Sequence, residues 1–263
     1  MEYHNLIDTI HLQRAQTAWA QFASASTHGR REFMEDRDTM VPMEKVETSD
    51  ETRPPQYTSC VGVFDGHSGS VAAEYCANNL YKHIARNQKG ALPSAARIVD
   101  RILDLDEQFG KDMQLTAGQK RHGCVLAMAF VEATAPIGDL SSSSEWTYCA
   151  RVAHLGDTRV LLIRANGQVE CLTKDHRPMD PMELARIKAA GSNVTSRDGA
   201  DRVDGGINMS RAFGDWQASY KQPHLDPRLR AISAEADVAT VEAKVGDILL
   251  IGCDGLFEPA HYN

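Results

Sequence analysis

The chain has 263 residues and a formal net charge of -8, and 42% of its residues are hydrophobic. These values are ordinary for a soluble globular protein, and the acidic balance disfavours nonspecific binding to nucleic acid. The N-terminus has no basic segment followed by an apolar stretch, and no apolar run is long enough to span a bilayer. A cytoplasmic or nuclear protein without nucleic-acid or membrane partners is therefore expected.

Cysteine usage argues against metal-thiolate and disulfide chemistry. None of the cysteines forms a Cys-x-x-Cys pair, so a zinc site is not expected. Most lie in apolar runs, which favours buried free thiols in a reducing compartment. A cysteine nucleophile is not expected either. The six cysteines are Cys60, Cys76, Cys124, Cys149, Cys171 and Cys253.

The first elements along the chain are weakly marked. Residues 6–19 have a weak helical pattern, and residues 19–26 fit a first strand equally well. Residues 40–56 are polar and contain three prolines, which predicts a loop. Residues 57–64 are mostly apolar and precede Asp65-Gly66, which predicts a buried strand that ends in a turn.

Two helices are predicted next, over residues 70–86 and 94–113. The second has one apolar face, because its large hydrophobic residues recur at steps of four, three and four. These residues, which are expected to pack on a core, are Ile98, Ile102, Leu105 and Phe109.

The rest of the chain is predicted to be mainly strands. Asn166-Gly167 indicates a hairpin, and Asp180-Pro181 opens a helix that Gly191 ends. A surface loop is expected at 141–144. Helices segregated from antiparallel strands predict an α+β fold with sheets packed face to face and helices outside, in one domain. The predicted strands are 123–131, 146–154, 160–163, 168–172, and a closing pair at 237–241 and 247–252.

Acidic residues stand at the ends of several apolar strands. Taken singly, each Asp-Gly pair is more often a plain turn. Together, carboxylates at one rim of a sandwich could hold hard divalent cations such as Mg²⁺ or Mn²⁺, which prefer oxygen ligands. The acidic segments are Glu35-Asp36, Asp65-Gly66-His67, Gly156-Asp157 and Asp254-Gly255.

Six motifs in this order resemble the type 2C protein phosphatases, the PPM family of serine/threonine phosphatases. The resemblance covers residues 26–258. The motifs are Gly29-Arg30-Arg31-Glu32-Phe33-Met34-Glu35-Asp36, Val63-Phe64-Asp65-Gly66-His67-Ser68-Gly69, Leu155-Gly156-Asp157-Thr158-Arg159, Thr173-Lys174-Asp175-His176-Arg177-Pro178, Ile207-Asn208-Met209-Ser210-Arg211-Ala212-Phe213-Gly214-Asp215 and Cys253-Asp254-Gly255-Leu256-Phe257-Glu258.

The resemblance implies a central antiparallel β-sandwich flanked by helices, and a site with two Mn²⁺ or Mg²⁺ ions. Asp65 would bridge the two metals, the Gly66 carbonyl would bind one, and Asp254 would bind the other. Glu35 and Asp36 would act through metal-bound water or as supports. A metal-bridging hydroxide would hydrolyse phosphoserine or phosphothreonine in protein substrates, without a phospho-enzyme.

The resemblance also implies roles at the edge of this site. Arg31 would bind the substrate phosphate, and His67 would be the general acid for the leaving oxygen. Asp157 would help to hold a third, weaker metal near Asp254, with Glu258 as a further candidate ligand. A mobile flap over the site would span about residues 180–196, and the protein would be a monomer.

Two departures from the family's pattern are visible. The chain stops at Asn263, whereas family members continue with more helix, an Asp-Asn pair and a last strand. The fold is therefore expected to lack its C-terminal part, with weaker affinity at one metal site and reduced stability, whether the chain is a fragment or a short protein. Glu258 stands where the family has aspartate. A non-catalytic pseudophosphatase that binds phosphoproteins or partner proteins is the alternative function.

Overall fold

The computed structural model describes residues 11–17, 20–29, 31–46, 56–112, 118–134, 146–197, 199–217 and 219–257. The described helices are α1 (Val71–Ala85), α2 (Ala95–Asp112), α3 (Pro181–Ala189) and α4 (Asp254–Phe257). No described helix combines the length and the apolar character that a membrane-spanning helix needs. The described strands are β1 (His11–Gln16), β2 (Gln21–Ser26), β3 (Arg37–Lys45), β4 (Gln56–His67), β5 (Gly123–Thr134), β6 (Thr147–Leu155), β7 (Arg159–Ile163), β8 (Val169–Cys171), β9 (Val194–Arg197), β10 (Ala200–Val203), β11 (Phe213–Gly214), β12 (Asp237–Ala243) and β13 (Ile248–Gly252).

A six-stranded antiparallel sheet forms the centre of the fold. Its strand order is β12-β6-β5-β4-β3, and the short β11 pairs with β5. One face packs against α1 and α2, because alternate strand residues such as Phe64, Leu126 and Met128 are fully buried with the apolar faces of the helices. The predicted apolar face of α2 is confirmed, since Ile98 and Phe109 are fully buried.

A three-stranded sheet, in the order β13-β7-β8, covers the other face of the central sheet. Val160 and Leu249 from this small sheet pack against Ala129 and Val152 of the large one. The molecule is thus layered as helices, large sheet and small sheet, and the predicted α+β sandwich with antiparallel strands is confirmed.

Two early predictions are wrong. Residues 11–16 form β1, which pairs with β2, in place of the weak helix. Residues 40–45 belong to β3 in place of a loop. Pro42 fits there because β3 is an edge strand of the large sheet, with a register shift between Val41 and Glu44.

Two later predictions also need correction. The strand predicted to end before Asp65 continues to His67, because Asp65, Gly66 and His67 pair with residues of β5. The expected closing pair does not form, since β12 pairs with β6 in the large sheet and β13 pairs with β7 in the small one. The periodicity identified the strands but could not identify their partners.

The helix opened by Asp180-Pro181 is confirmed as α3, and Gly191 follows it with a φ of 85°. Ile187 of α3 is fully buried in a small core with residues such as Val203 and Ala212. The part of the expected flap that forms α3 is therefore packed against the body of the fold. The loop predicted at 141–144 lies outside the described residues.

Candidate metal and phosphate site

Four aspartates that sequence reasoning selected meet at one end of the two sheets. Asp36 directly precedes β3, Asp65 lies near the end of β4, Asp157 follows β6, and Asp254 follows β13. Ligand atoms of Asp65, Asp254 and Cys253, which precedes Asp254 in the chain, lie within 4.8 Å of one another. We call the four carboxylates, Asp36, Asp65, Asp157 and Asp254, the acidic cluster.

Three carboxylates of the acidic cluster, Asp36, Asp65 and Asp157, have a raised pKa. Burial raises the pKa of Asp65 to about 8, with further contributions from Asp36, Asp254 and Asp157. Burial also raises the pKa of Asp36, which hydrogen-bonds Asp65, although that bond and the Cys253 thiol act in the opposite direction. Like charges held together in a partly buried cleft favour either a shared proton or a bound cation.

Asp157 belongs to the same electrostatic unit. It is only 5% exposed. Burial and then Asp254 raise its pKa, while the positive charge of Arg177 acts in the opposite direction. Asp157 and Asp254 therefore lie close enough for their charges to interact. Glu258, the other candidate ligand of a third metal, lies outside the described residues.

The donor set suits a hard cation. Burial and the neighbouring carboxylates Asp36 and Asp65 raise the pKa of Cys253 to about 12, so the thiol stays protonated at neutral pH. Its Sγ lies 3.5 Å from Asp36 Oδ2, to which it donates. The remaining donors are carboxylate oxygens, which Mg²⁺ and Mn²⁺ prefer over the thiolates that select softer metals. The residues present fit the cations that the sequence predicts.

The backbone of Gly66 passes close to Glu35. A Cβ at Gly66 would lie 2.4 Å from the Glu35 carbonyl oxygen, so only glycine allows this approach. The approach brings the Glu35-Asp36 segment against β4, and Glu35 contributes to the raised pKa of Asp36. Glu35 and Gly66 thus lie beside the acidic cluster.

Arg31 lies at the outside of the site. It is exposed, and its side chain makes no hydrogen bond or ion pair with the part of the chain that the structure describes. Its main chain is fixed in a turn, since its N–H donates to the His28 carbonyl at 3.0 Å and its own carbonyl lies 2.6 Å from His28 Nδ1. The guanidinium is free to bind an anion.

His67 lies two residues after Asp65 on β4, so the two side chains leave the same face of the strand. Its Nε2 lies 2.8 Å from Oδ2 of Asp215, a buried residue. Burial lowers the pKa of His67, but the charge and hydrogen bond of Asp215 outweigh it, and the pKa lies above its ordinary value. His67 is therefore suited to carry a proton beside the acidic cluster.

Sequence reasoning missed the residues that hold the segment from Ser210 to Asp215, which we call the anchored segment. Arg211 binds both oxygens of Glu183 on α3, with its shortest contact at 2.6 Å. The Gly214 N–H donates to Asp106 Oδ1 at 2.7 Å, and Asp106 Oδ2 lies 2.8 Å from Lys221 Nζ. The motif containing Arg211 and Asp215 was recognised, but its distant partners leave no signal in a single sequence.

One cysteine spacing was overlooked. Cys171 and Arg177 have the Cys-x5-Arg spacing of cysteine-dependent phosphatases. The expectation that the sequence contains no such pair is therefore wrong. Cys171 lies on the exposed β8 and its thiol donates to the Thr173 carbonyl at 3.2 Å, while Arg177 pairs with Asp175 at 2.7 Å. The two side chains have separate partners and do not form a phosphate-binding loop.

Comparison with known proteins agrees with the motifs. The sequence model of the family "Protein phosphatase 2C" matches residues 20–262. The chain is 34% identical to human protein phosphatase 1A over 211 residues, which cover 76% of this chain and 50% of that protein. It is 28% identical to the probable protein phosphatase 2C 42 of Oryza sativa subsp. japonica, over 90% of this chain and 70% of that one. The chain thus spans about half the length of the human relative.

A crystal structure of a phosphatase from Toxoplasma gondii has the same fold. It superposes with a TM-score of 0.72 at 24% identity and covers 97% of this chain and 81% of that one. At this identity the likeness concerns the fold alone. The family model, which spans most of the chain, carries the assignment: the chain belongs to the protein phosphatase 2C family.

Proposed function

We propose that the protein hydrolyses phosphoserine and phosphothreonine in proteins, with Mn²⁺ or Mg²⁺ held by the acidic cluster. The single observation that carries the proposal is that ligand atoms of Asp65, on the large sheet, and Asp254, which follows the last strand of the small sheet, lie within 4.8 Å of each other. Their mutual repulsion, seen in the raised pKa of Asp65, is what a divalent cation would relieve.

Each residue of the site then has a defined role. Asp65 and Asp254 would hold the cations, with Asp36 and Glu35 supporting them and Asp157 near a weaker third position. When bound, the cations would lower the pKa of a water ligand and offset charge on the phosphoryl oxygens.

The chain's own side chains would act on the substrate. The Arg31 guanidinium would bind two phosphoryl oxygens. A hydroxide oxygen, formed when water loses a proton to solvent, would attack phosphorus as the bond from phosphorus to the serine or threonine oxygen breaks. His67 would give its proton to the leaving serine or threonine oxygen. The exposed guanidinium suits the phosphate of a phosphorylated protein, and we propose such substrates in the cytoplasm or nucleus.

The test is hydrolysis of a phosphothreonine peptide by the full chain, with and without millimolar Mn²⁺. We expect activity that depends on the cation and that Asp65→Asn reduces at least 100-fold, because the substitution removes an anionic ligand. Asp104→Asn, on the outer side of α2, is the matched control and should leave the rate unchanged. Absence of hydrolysis by a folded wild-type protein in Mn²⁺ would reject the proposal and favour a phosphoprotein-binding role.

A further inference from the structure

Asp215 combines three features that a residue serving only a turn does not need. Its φ is +53°, in the left-handed region that costs most side chains energy. It is 1% exposed. Its Oδ2 lies 2.8 Å from His67 Nε2, and its Oδ1 is buried with no hydrogen-bond partner among the described residues. An unpaired buried oxygen is costly.

Main-chain hydrogen bonds fix the backbone that carries the Asp215 carboxylate. Its N–H donates to the His122 carbonyl at 3.0 Å. The preceding Gly214 pairs with Gly123 as part of β11 and donates to the buried Asp106 of α2. These contacts attach Asp215 to β5 and to α2 at once, so its position relative to β4, which carries His67, is fixed by the core.

Gly123 leaves the room in which the hydrogen bond forms. A Cβ at Gly123 would lie 2.1 Å from Asp215 Oδ2 and 2.4 Å from His67 Nε2. Any side chain at Gly123 would therefore displace one of the two partners. Gly123 leaves space for Asp215 and His67 to meet, and the hydrogen bond between them favours one orientation of the His67 ring.

We propose that Asp215 is the positioning residue of the general acid His67, a role that rests on the proposed phosphatase function. Asp215 binds the Nε2–H, which leaves Nδ1 as the nitrogen that faces the substrate. As the phosphorus–oxygen bond breaks, the Nδ1 proton passes to the leaving serine or threonine oxygen. The ring becomes neutral and keeps its Nε2 proton, which stays hydrogen-bonded to Asp215.

A purely structural role for Asp215 makes a different prediction. If the side chain only served the turn, glycine would fit a φ of +53° better and would remove the unpaired Oδ1. Asp215→Gly should then be at least as stable as the wild type and equally active. Under the proposal it stays folded but loses the orientation of His67.

The kinetic test compares two substrates whose leaving groups differ in their need for a proton. For Asp215→Asn and Asp215→Gly we expect kcat on a phosphothreonine peptide to fall about 10- to 100-fold with KM within about twofold. On p-nitrophenyl phosphate, whose leaving group needs no proton, the loss should stay below about threefold. The double variant His67→Ala/Asp215→Asn should be no slower than His67→Ala.

The control is Asp204→Gly. Asp204 is a second non-glycine residue in the left-handed region, with a φ of 48°, but it is exposed, and its carboxylate accepts from the Asn193 N–H. We expect this variant to keep the kinetics of the wild type. Equal losses on both substrates in the Asp215 variants, or losses that add to that of His67→Ala, would overturn the proposal.

A spectroscopic arm separates this proposal from the proposed function. In ¹⁵N-histidine-labelled protein, the His67 Nε2 should carry a downfield proton that disappears in Asp215→Gly and persists in Asp204→Gly. A His67 signal that is unchanged in Asp215→Gly would overturn the positioning role. If the wild type hydrolyses neither ester, the phosphatase proposal fails, while the NMR signal still decides whether Asp215 orients the ring.

Discussion

The two halves of the site use the same kind of charge in opposite ways. In the acidic cluster, carboxylates face one another, and the pKa of Asp65 rises to about 8. Around the anchored segment, carboxylates face cations. Burial would raise the pKa of Glu183, but Arg211 and Arg186 lower it to about 2.

The difference separates carboxylates that are paired with cations inside the fold from carboxylates that are left to repel one another. Asp106 forms an ion pair with Lys221, and Glu183 forms one with Arg211. The anchored segment that these residues hold places Asp215 against His67. Among the described residues, the carboxylates of the acidic cluster form no comparable ion pair with lysine or arginine, although the charge of His67 acts on Asp65 and that of Arg177 acts on Asp157. Neutralising a carboxylate should therefore destabilise one half and stabilise the other, which makes the comparison testable by stability alone.

The largest loss is expected from Asp106→Ala. Asp106 and Lys221 are both nearly inaccessible, and Asp106 also accepts from the Gly214 N–H. Removal of the carboxylate leaves the Lys221 ammonium buried without its partner, which costs about 3–5 kcal/mol. Urea denaturation should report this decrease in the free energy of unfolding.

Asp104→Ala is the control for Asp106→Ala. Asp104 lies on the same helix, but its side chain is 47% exposed and its partners are His83 and Arg101 at the surface. Its loss should change stability by less than about 1 kcal/mol. Similar effects of the two substitutions would show that the Asp106–Lys221 pair does not anchor the segment.

A smaller loss, and a dependence on pH, is expected from Glu183→Gln. The folded pKa of Glu183 is about 2, below its ordinary value of 4.5. The charge therefore contributes stability that is fully present above about pH 4.5 and is lost as pH falls toward 2. At pH 7 the variant should be less stable by about 3 kcal/mol.

Denaturation of the Glu183 variant at several pH values checks this linkage. The gap between wild type and Glu183→Gln should narrow steadily between pH 5 and pH 3, because protonation removes the same charge from the wild type. A gap that stays constant over this range would mean that the two arginines do not depend on the charge of Glu183.

The sequence predicted the layers and the acidic cluster because both leave local signals. The steps from Ile98 to Phe109 identify a helix face, and the motifs around Asp65 and Asp254 identify strand ends. It could not predict that β3 tolerates Pro42, since edge position depends on the whole sheet. Nor could it pair Arg211 with Glu183, because long-range partners share no periodicity.

The role of Asp215 escaped sequence reasoning for a related physical reason. Gly214-Asp215 looks like a turn, and its φ values are those of a turn. Its chemistry comes from β11 pairing with β5, which brings Asp215 to the end of β4 from more than a hundred residues away. A contact of that kind depends on tertiary structure, so the motif indicated the location and the structure supplied the partner.

An effect of opposite sign is expected from Asp65→Asn in the metal-free protein. With a folded pKa of about 8 against an ordinary value of 3.8, Asp65 makes the metal-free protein less stable as pH rises from about 4 to about 8. The amide cannot ionise, so the variant should be more stable than the wild type at pH 8 when no cation is bound.

Addition of Mn²⁺ should stabilise the wild type more than the variant. A cation at 100 times its Kd stabilises the folded state by about 2.7 kcal/mol, and only the wild type keeps the Asp65 charge that binds it. Thermal melts of both proteins at pH 8, in EDTA and in Mn²⁺, test both expectations, with Asp104→Asn as the neutral control. If Asp65→Asn is less stable than the wild type in EDTA, the acidic cluster is held together by contacts other than a cation, and the contrast between the two halves of the site fails.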